Sequence, residues 1–352
     1  MNFEDIIEIK FDGLSNEILN RESFYGMKYL RKLDLKEKSL TSLDRDIFID
    51  LINLEELDLS NNHFTKIKDY YFRGLINLKM LNLSKCSIRA IDDRAFHECR
   101  ELQNLILSHN LIENIGENLF YLPSENVLGC LKSLDLSHNN ISEIDTGLYS
   151  LTNLEKLILI NNNMPQIQSE MFVGLQNLNE INLSYCHIQT IECGTFFNLP
   201  HLAILNCSHN QISIIDDNLF SNLTAVKYLD LSFNSIRKIR KDTFRGLINL
   251  TDLNISNCRI ENLECESFDL SNLEVLNLSN NQLKTIQKNQ FALLKNLKIL
   301  DISNNFLNQL DSTFSNGLIS LKYLNLKNNY IQNINQDAFS ELYVIDNLIL
   351  KD

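Results

Sequence analysis

The side chains able to do chemistry in this 352-residue chain are few and widely spaced. His109, His138 and His209 each sit in a Ser-His-Asn triplet. Imidazoles on neighbouring repeats would make binding sensitive to mild acid, since each titrates near about pH 6.5 when unperturbed. A metal would need a third ligand beside His109 and His138, and the sequence offers none. The eight cysteines include no Cys-x-x-Cys pair, too few and too scattered for a zinc site or a disulfide-stapled scaffold. Cys186 and Cys193, and again Cys258 and Cys265, share one spacing that would allow a disulfide within a single repeat. Glu55 and Glu56 are adjacent in an extended segment, so they face different ways and read as solvated surface. There is no Gly-rich phosphate loop, no nucleophile elbow and no His-Glu-x-x-His helix. The residues predict no catalytic group, no cofactor and no metal.

What positions these groups is a repeat of 24 residues that runs from Ile6 to the end of the chain. One unit shows its logic: Leu54, Leu57, Leu59, Asn62, Phe64, Ile67, Phe72 and Leu75. The segment from Leu54 to Leu59 places apolar residues on alternate positions, as a short strand buried on one face requires. One strand per unit, stacked in parallel, predicts a sheet in which each coil is stabilised by its neighbours. Asn recurs at the ninth position, as Asn62, Asn110, Asn139, Asn162, Asn210, Asn234, Asn281, Asn305 and Asn329. There the chain turns inward, and a buried amide can satisfy backbone groups that have left the sheet. Cys86, Cys186 and Cys258 take the same place in three units, while Leu14 and Lys38 hold it in the first two. A Phe near the nineteenth position, from Phe24 to Phe339 with Leu148 standing in once, predicts a second ladder and removes thirteen of the nineteen Phe from any aromatic ligand box.

These units resemble the "typical" class of leucine-rich repeat, the class of Toll-like receptor ectodomains and of insect adhesion and immune repeat proteins. The resemblance implies an α/β solenoid: a leucine-rich-repeat horseshoe with a concave parallel β-sheet and a convex side of loops, short turns and 3-10 segments. Residues 1–352 are expected to form a single solenoid, with degenerate repeats at 1–53, regular repeats at 54–344 and a truncated last repeat at 345–352. Neither cysteine-rich cap of the family is present, so the chain reads as part of a longer protein or as one ending in a degenerate coil. The family's habit of Ser-His-Asn triplets offers a structural explanation for His109, His138 and His209 beside the titrating one.

Function on such a scaffold is expected at the exposed strand positions, which are rigid and free of packing duty. The formal net charge is −13, and most of the excess acid lies off those strand positions, which are nearly balanced. A balanced face suits a protein ligand or co-receptor and argues against nucleic acid, which needs a basic stripe. The expected partner site comprises Ile106, Ile158, Ile160, Tyr185, Ile204, Tyr228 and Phe233, with His109 and His138 beside them. Residues 121–130 exceed the usual repeat length and would project as a loop or act as a spacer. Of eight Asn-x-Ser/Thr sequons, Asn140, Asn222 and Asn249 lie off the strands and are the expected glycosylation sites. A homodimer is a further possibility, and membrane attachment would come only through parts outside this chain. The expected setting is extracellular or cell-surface recognition, with homophilic adhesion and an intracellular scaffold as the competing functions.

Overall fold

The computed structural model describes residues 6–10, 19–69, 71–116, 119–120, 128–144 and 146–350. Leu14 and most of the long loop, residues 121–127, lie outside them. The chain divides into two compact units, residues 1–164 with 170–178, and residues 165–169 with 179–352.

Each unit is a solenoid of stacked coils with one three-residue strand per coil. In the first unit the strands Glu8–Lys10, Lys32–Asp34, Glu56–Asp58, Met80–Asn82, Asn104–Ile106, Ser133–Asp135 and Lys156–Ile158 pair in parallel and in order. In the second, Glu180–Asn182 begins a parallel series of eight strands that ends at Asn347–Ile349. Register is strict, leucine opposite leucine, as in Leu57 against Leu81 and Leu205 against Leu229. A slip by one residue would turn every leucine of a strand to solvent. Opposite the strands the chain runs through turns, a 3-10 segment at Thr146–Leu148, and short two-residue strands such as Lys66–Ile67 paired with Ala90–Ile91.

Three side-chain series hold the coils together, and a fourth closes each strand locally. The ninth-position amides come first: Asn210 Oδ1 accepts from the backbone amides of Cys186 and Ile188 at 2.9 and 3.0 Å, while its Nδ2 donates to the Leu183 and Cys207 carbonyls at 2.8 and 3.0 Å. One side chain thus satisfies four backbone groups in two coils, each of which would cost about 1–3 kcal/mol if buried alone. The phenylalanines form the second series, with Phe72 and Phe96 at 5.7 Å and Phe196 and Phe220 at 6.4 Å between ring centroids. Leu148 fills the same wall, fully buried.

The third series lies just before each repeat's first leucine. Asn53, Asn77, Asn153, Asn177, Asn249, Asn272 and Asn296 each donate Nδ2 to a carbonyl of the preceding coil. The fourth is on the strand face. The outward residue at the end of each strand is Asp or Asn in eleven coils, and its Oδ1 accepts from the backbone amide two residues on. That bond closes the strand as a local turn.

Three residues after the strand comes a left-handed residue, at φ between 53° and 58°, in every coil from Glu37 to Asn328. Six of these are asparagine, the non-glycine residue that tolerates this region best. His109, His138, Tyr185, His209 and Phe233 occupy the same position, so their side chains leave the sheet at a sharp bend.

Candidate functional site

The expected partner residues fall into two groups, one in each unit. In the first unit, Ile106 and Ile158 are the outward residues at the ends of their strands, and both are half-buried. The Asp/Asn turn is missing in both their coils, as it is at the first and last strands, which end in Lys10 and Ile349. Ile160, two residues on, stands where ten coils have serine. Apolar side chains have replaced hydrogen-bonding ones here without any local structural gain, which marks a place where a fold rule yields to something else.

His109 and His138 come together beside this row, stacked with centroids 4.1 Å apart and planes 6° from parallel. Asn161 Nδ2 lies 3.0 Å from His138 Nδ1. Desolvation of the covered ring face, then the charges of His138 and Lys85, hold the His109 imidazole below the ordinary histidine range, against an opposing pull from Asp135.

In the second unit Tyr185, His209 and Phe233 form a continuous exposed stack with centroids at 4.1 and 4.0 Å. Ile204 and Tyr228 are register partners on the strands beneath, both exposed. Tyr228 donates to Asp230 Oδ2 at 3.2 Å, and burial together with the Asp230 charge pushes its phenol up to about 12. His209 belongs to this site, although the sequence reading placed only His109 and His138 in it.

Some residues escaped the sequence reading. Phe306 and Tyr330 are exposed and stacked at 5.9 Å in the second unit, one residue after the Asn ladder position. Asp135 lies between Ile106 and Ile158 in strand register. The signal for Asp135 was available in the repeat itself: an Asp/Asn column interrupted twice, on either side of one aspartate.

Elsewhere the strand face is cross-linked by exposed ion pairs, including Lys32 to Glu56 at 2.7 Å, Lys79 to Glu55 at 2.8 Å and Lys298 to Glu274 at 2.7 Å. Glu55 and Glu56 thus each hold a cation, and the Glu55 carboxyl is lowered by its bond to Lys79. Among the described residues no three His, Cys, Asp or Glu gather as a metal-ligand set, and no helix is long and apolar enough to cross a membrane.

The cysteines correct one expectation. All eight are free, because Cys186 and Cys258 point into the buried ladder while Cys193 and Cys265 lie exposed on the outside of the coil. Cys86 and Cys258 imitate asparagine. The Cys86 thiol lies 3.2 Å from the Leu59 carbonyl, and that of Cys258 lies 3.3 Å from the Leu231 carbonyl. Both thiols are pushed up to about 11 by burial. Of the three expected glycosylation sites, Asn140 and Asn222 are exposed. Asn249 is also exposed, but its amide donates to the Thr224 carbonyl at 2.8 Å as a member of the third series.

The family model described as Leucine rich repeat matches residues 17–64, 52–112, 129–188, 176–236, 208–260, 227–269, 248–307 and 295–352. No curated protein matches the chain in sequence. Among solved structures, the crystal structure of a TLR13–ssRNA13 complex is similar at 29% identity and a TM-score of 0.83, over 93% of this chain and 48% of that one. The Toll–Spatzle complex of Drosophila, in glycosylated form, is similar at 22% identity and a TM-score of 0.86, over 98% of this chain and 47% of that one. The leucine-rich repeat domain of APL1 shares 22% identity at a TM-score of 0.77, over 97% of this chain and 84% of that one. The chain spans about half the length of the first two, and the likenesses at 22% speak for the fold alone. The first of these complexes contains RNA, so the expectation that nucleic acid is excluded finds no support in the fold.

Proposed function

We propose, from the premise that this chain belongs to the leucine-rich-repeat family, that it is the protein-recognition part of a cell-surface or secreted receptor of immune type. It binds a protein ligand or co-receptor through its strand face and catalyses nothing. The observation that carries this reading is the pair Ile158 and Ile160, which put apolar surface at the end of a strand and just beyond it, where eleven coils carry Asp or Asn and ten carry serine. The near balance of charge on the strand positions supports a protein over a polyanion. Toll is solved with Spatzle, which is consistent with a protein ligand on this kind of scaffold.

The test is an array of secreted proteins and ectodomains, with single-stranded RNA as one further spot, probed with the wild-type chain and with the Ile158→Lys/Ile160→Lys double variant. Both changes lie on the outward face, so folding is expected to survive. Protein binders that the variant loses support the reading. An identical set of binders for both chains removes the patch, and capture of RNA alone replaces a protein ligand with a nucleic acid. Expression in a secretory host examines the compartment through sugar on Asn140 and Asn222.

Self-association is the second reading, favoured by exposed isoleucines at one repeat position outside the strands: Ile52 and Ile76 in the first unit, Ile248 and Ile319 in the second. Light scattering over a concentration series separates the two, since an adhesion module grows in mass with concentration while a receptor module does not.

A further inference from the structure

The row Ile106, Asp135, Ile158, which crosses three adjacent strands of the first unit, is unlike the rest of the strand face. In other coils the strand-end aspartate uses both oxygens. Asp58, Asp230 and Asp301 accept from a backbone amide through Oδ1, and through Oδ2 from Asn82, Asn254 and Asn325 of the next coil, at 3.3, 3.2 and 3.1 Å. Asp34 has Lys36 at 3.5 Å.

Asp135 keeps the first bond alone, from the Ser137 amide at 2.9 Å. The place on the next coil that supplies the second donor elsewhere is held by Ile158, the place on the preceding coil by Ile106, and an isoleucine has nothing to donate. The nearby cations are committed: Lys132 is tied to Glu155 at 3.2 Å, and Lys156 is not free either. Among the described residues, one carboxylate oxygen therefore stands without a side-chain donor between two apolar walls about 10 Å apart, two strand spacings.

We propose that Asp135 is the anchor of the partner site and that it receives the lysine or arginine of a protein whose neighbouring residues are apolar. This inference rests on the protein-recognition reading above. A cation arriving there meets a partly desolvated carboxylate, where an ion pair is stronger than in open water. Its alkyl stem packs against Ile106 and Ile158, and Ile160 extends the apolar rim that shuts water out once the partner is seated. A phosphate backbone would be repelled by the same carboxylate, so the row favours protein over nucleic acid.

A displayed library of random peptides, selected on the full chain, tests this directly. Asp135→Asn and Ile158→Asn serve as controls. Asparagine is ordinary at this strand position, so Asp135→Asn retains the turn-closing bond and Ile158→Asn gains one, and thermal melts confirm their folding. A bacterial host is required, because Asp135→Asn creates a new Asn-x-Ser sequon with Ser137. The expected selection is enriched in lysine or arginine flanked by apolar residues. Synthetic copies should bind Asp135→Asn about tenfold more weakly, with a shallower salt dependence. Enriched peptides without a basic residue, unchanged affinity for Asp135→Asn, or no enrichment would each overturn the anchor. Peptides that ignore Asp135 but lose binding on Phe233→Asn would leave the recognition reading standing while sinking this one.

Discussion

Cys86 and Cys258 show how a single position can be filled by different chemistry. Each takes the place of a ladder asparagine, and the thiol reproduces part of its bonding: backbone amides point at the sulfur, and the sulfur lies near a carbonyl. A thiol is a weaker donor and acceptor than an amide, so Cys86→Asn should stabilise the protein by about 1 kcal/mol, measured by chemical denaturation. The same thiols carry a pH dependence whose sign is fixed. Their native pKa values lie near 11, above the ordinary thiol value, so the unfolded chain gives up these protons first. Their contribution is whole below about pH 8.5 and is lost as pH rises towards 11. Comparing wild-type with the Cys86→Asn/Cys258→Asn variant from pH 7 to 10 isolates it. A stability gap that stays constant over that range would refute the assignment.

At the scale of the coil, stability comes from ladders that link neighbours. Phe220 is fully buried and stacks on Phe196, so Phe220→Ala should destabilise by about 3–5 kcal/mol, read as a fall in denaturation midpoint. Phe233→Asn should change stability far less, although it removes a ring of similar size. That ring is exposed on a left-handed residue, and asparagine suits the backbone there better than phenylalanine does. The contrast explains what could be read from residue order alone. The Asn and Phe ladders were legible because their positions recur with the period and their residue types have one structural use. The left-handed position was visible only as an asparagine habit, and the aromatic residues placed there concealed it. The short paired strands opposite the sheet were not legible, since two residues are too few to show a period. In the candidate site, Ile158 and Ile160 stood out by hydrophobicity, whereas Asp135 looked like every other strand-end aspartate. Its distinction is an isoleucine in register on both neighbouring strands, a property of three strands together.

At the scale of the whole chain, the contacts just described reach only one coil in either direction, whether through Asn ladder, Phe ladder or strand pairing. Coupling between distant coils must then pass through every coil between them, and the free energy approximates a sum of coil terms and nearest-neighbour terms. A lesion should loosen its own neighbourhood and leave remote coils protected, with departures from two-state unfolding. Phe268 is a suitable place to cut, because it is buried and stacks with Phe244 at 6.0 Å and with Phe291 at 6.2 Å. In Phe268→Ala, hydrogen exchange followed by mass spectrometry should speed up for backbone amides between about residues 226 and 320, while the strands at Lys32–Asp34, Glu56–Asp58 and Met80–Asn82 exchange as in wild-type. Equal acceleration over both compact units would mean that the coils unfold as one cooperative body, and the nearest-neighbour account would fail. If exchange is local, the coils carrying Ile106, Asp135 and Ile158 depend on their immediate neighbours alone, and changes made on that face can be read as changes in binding.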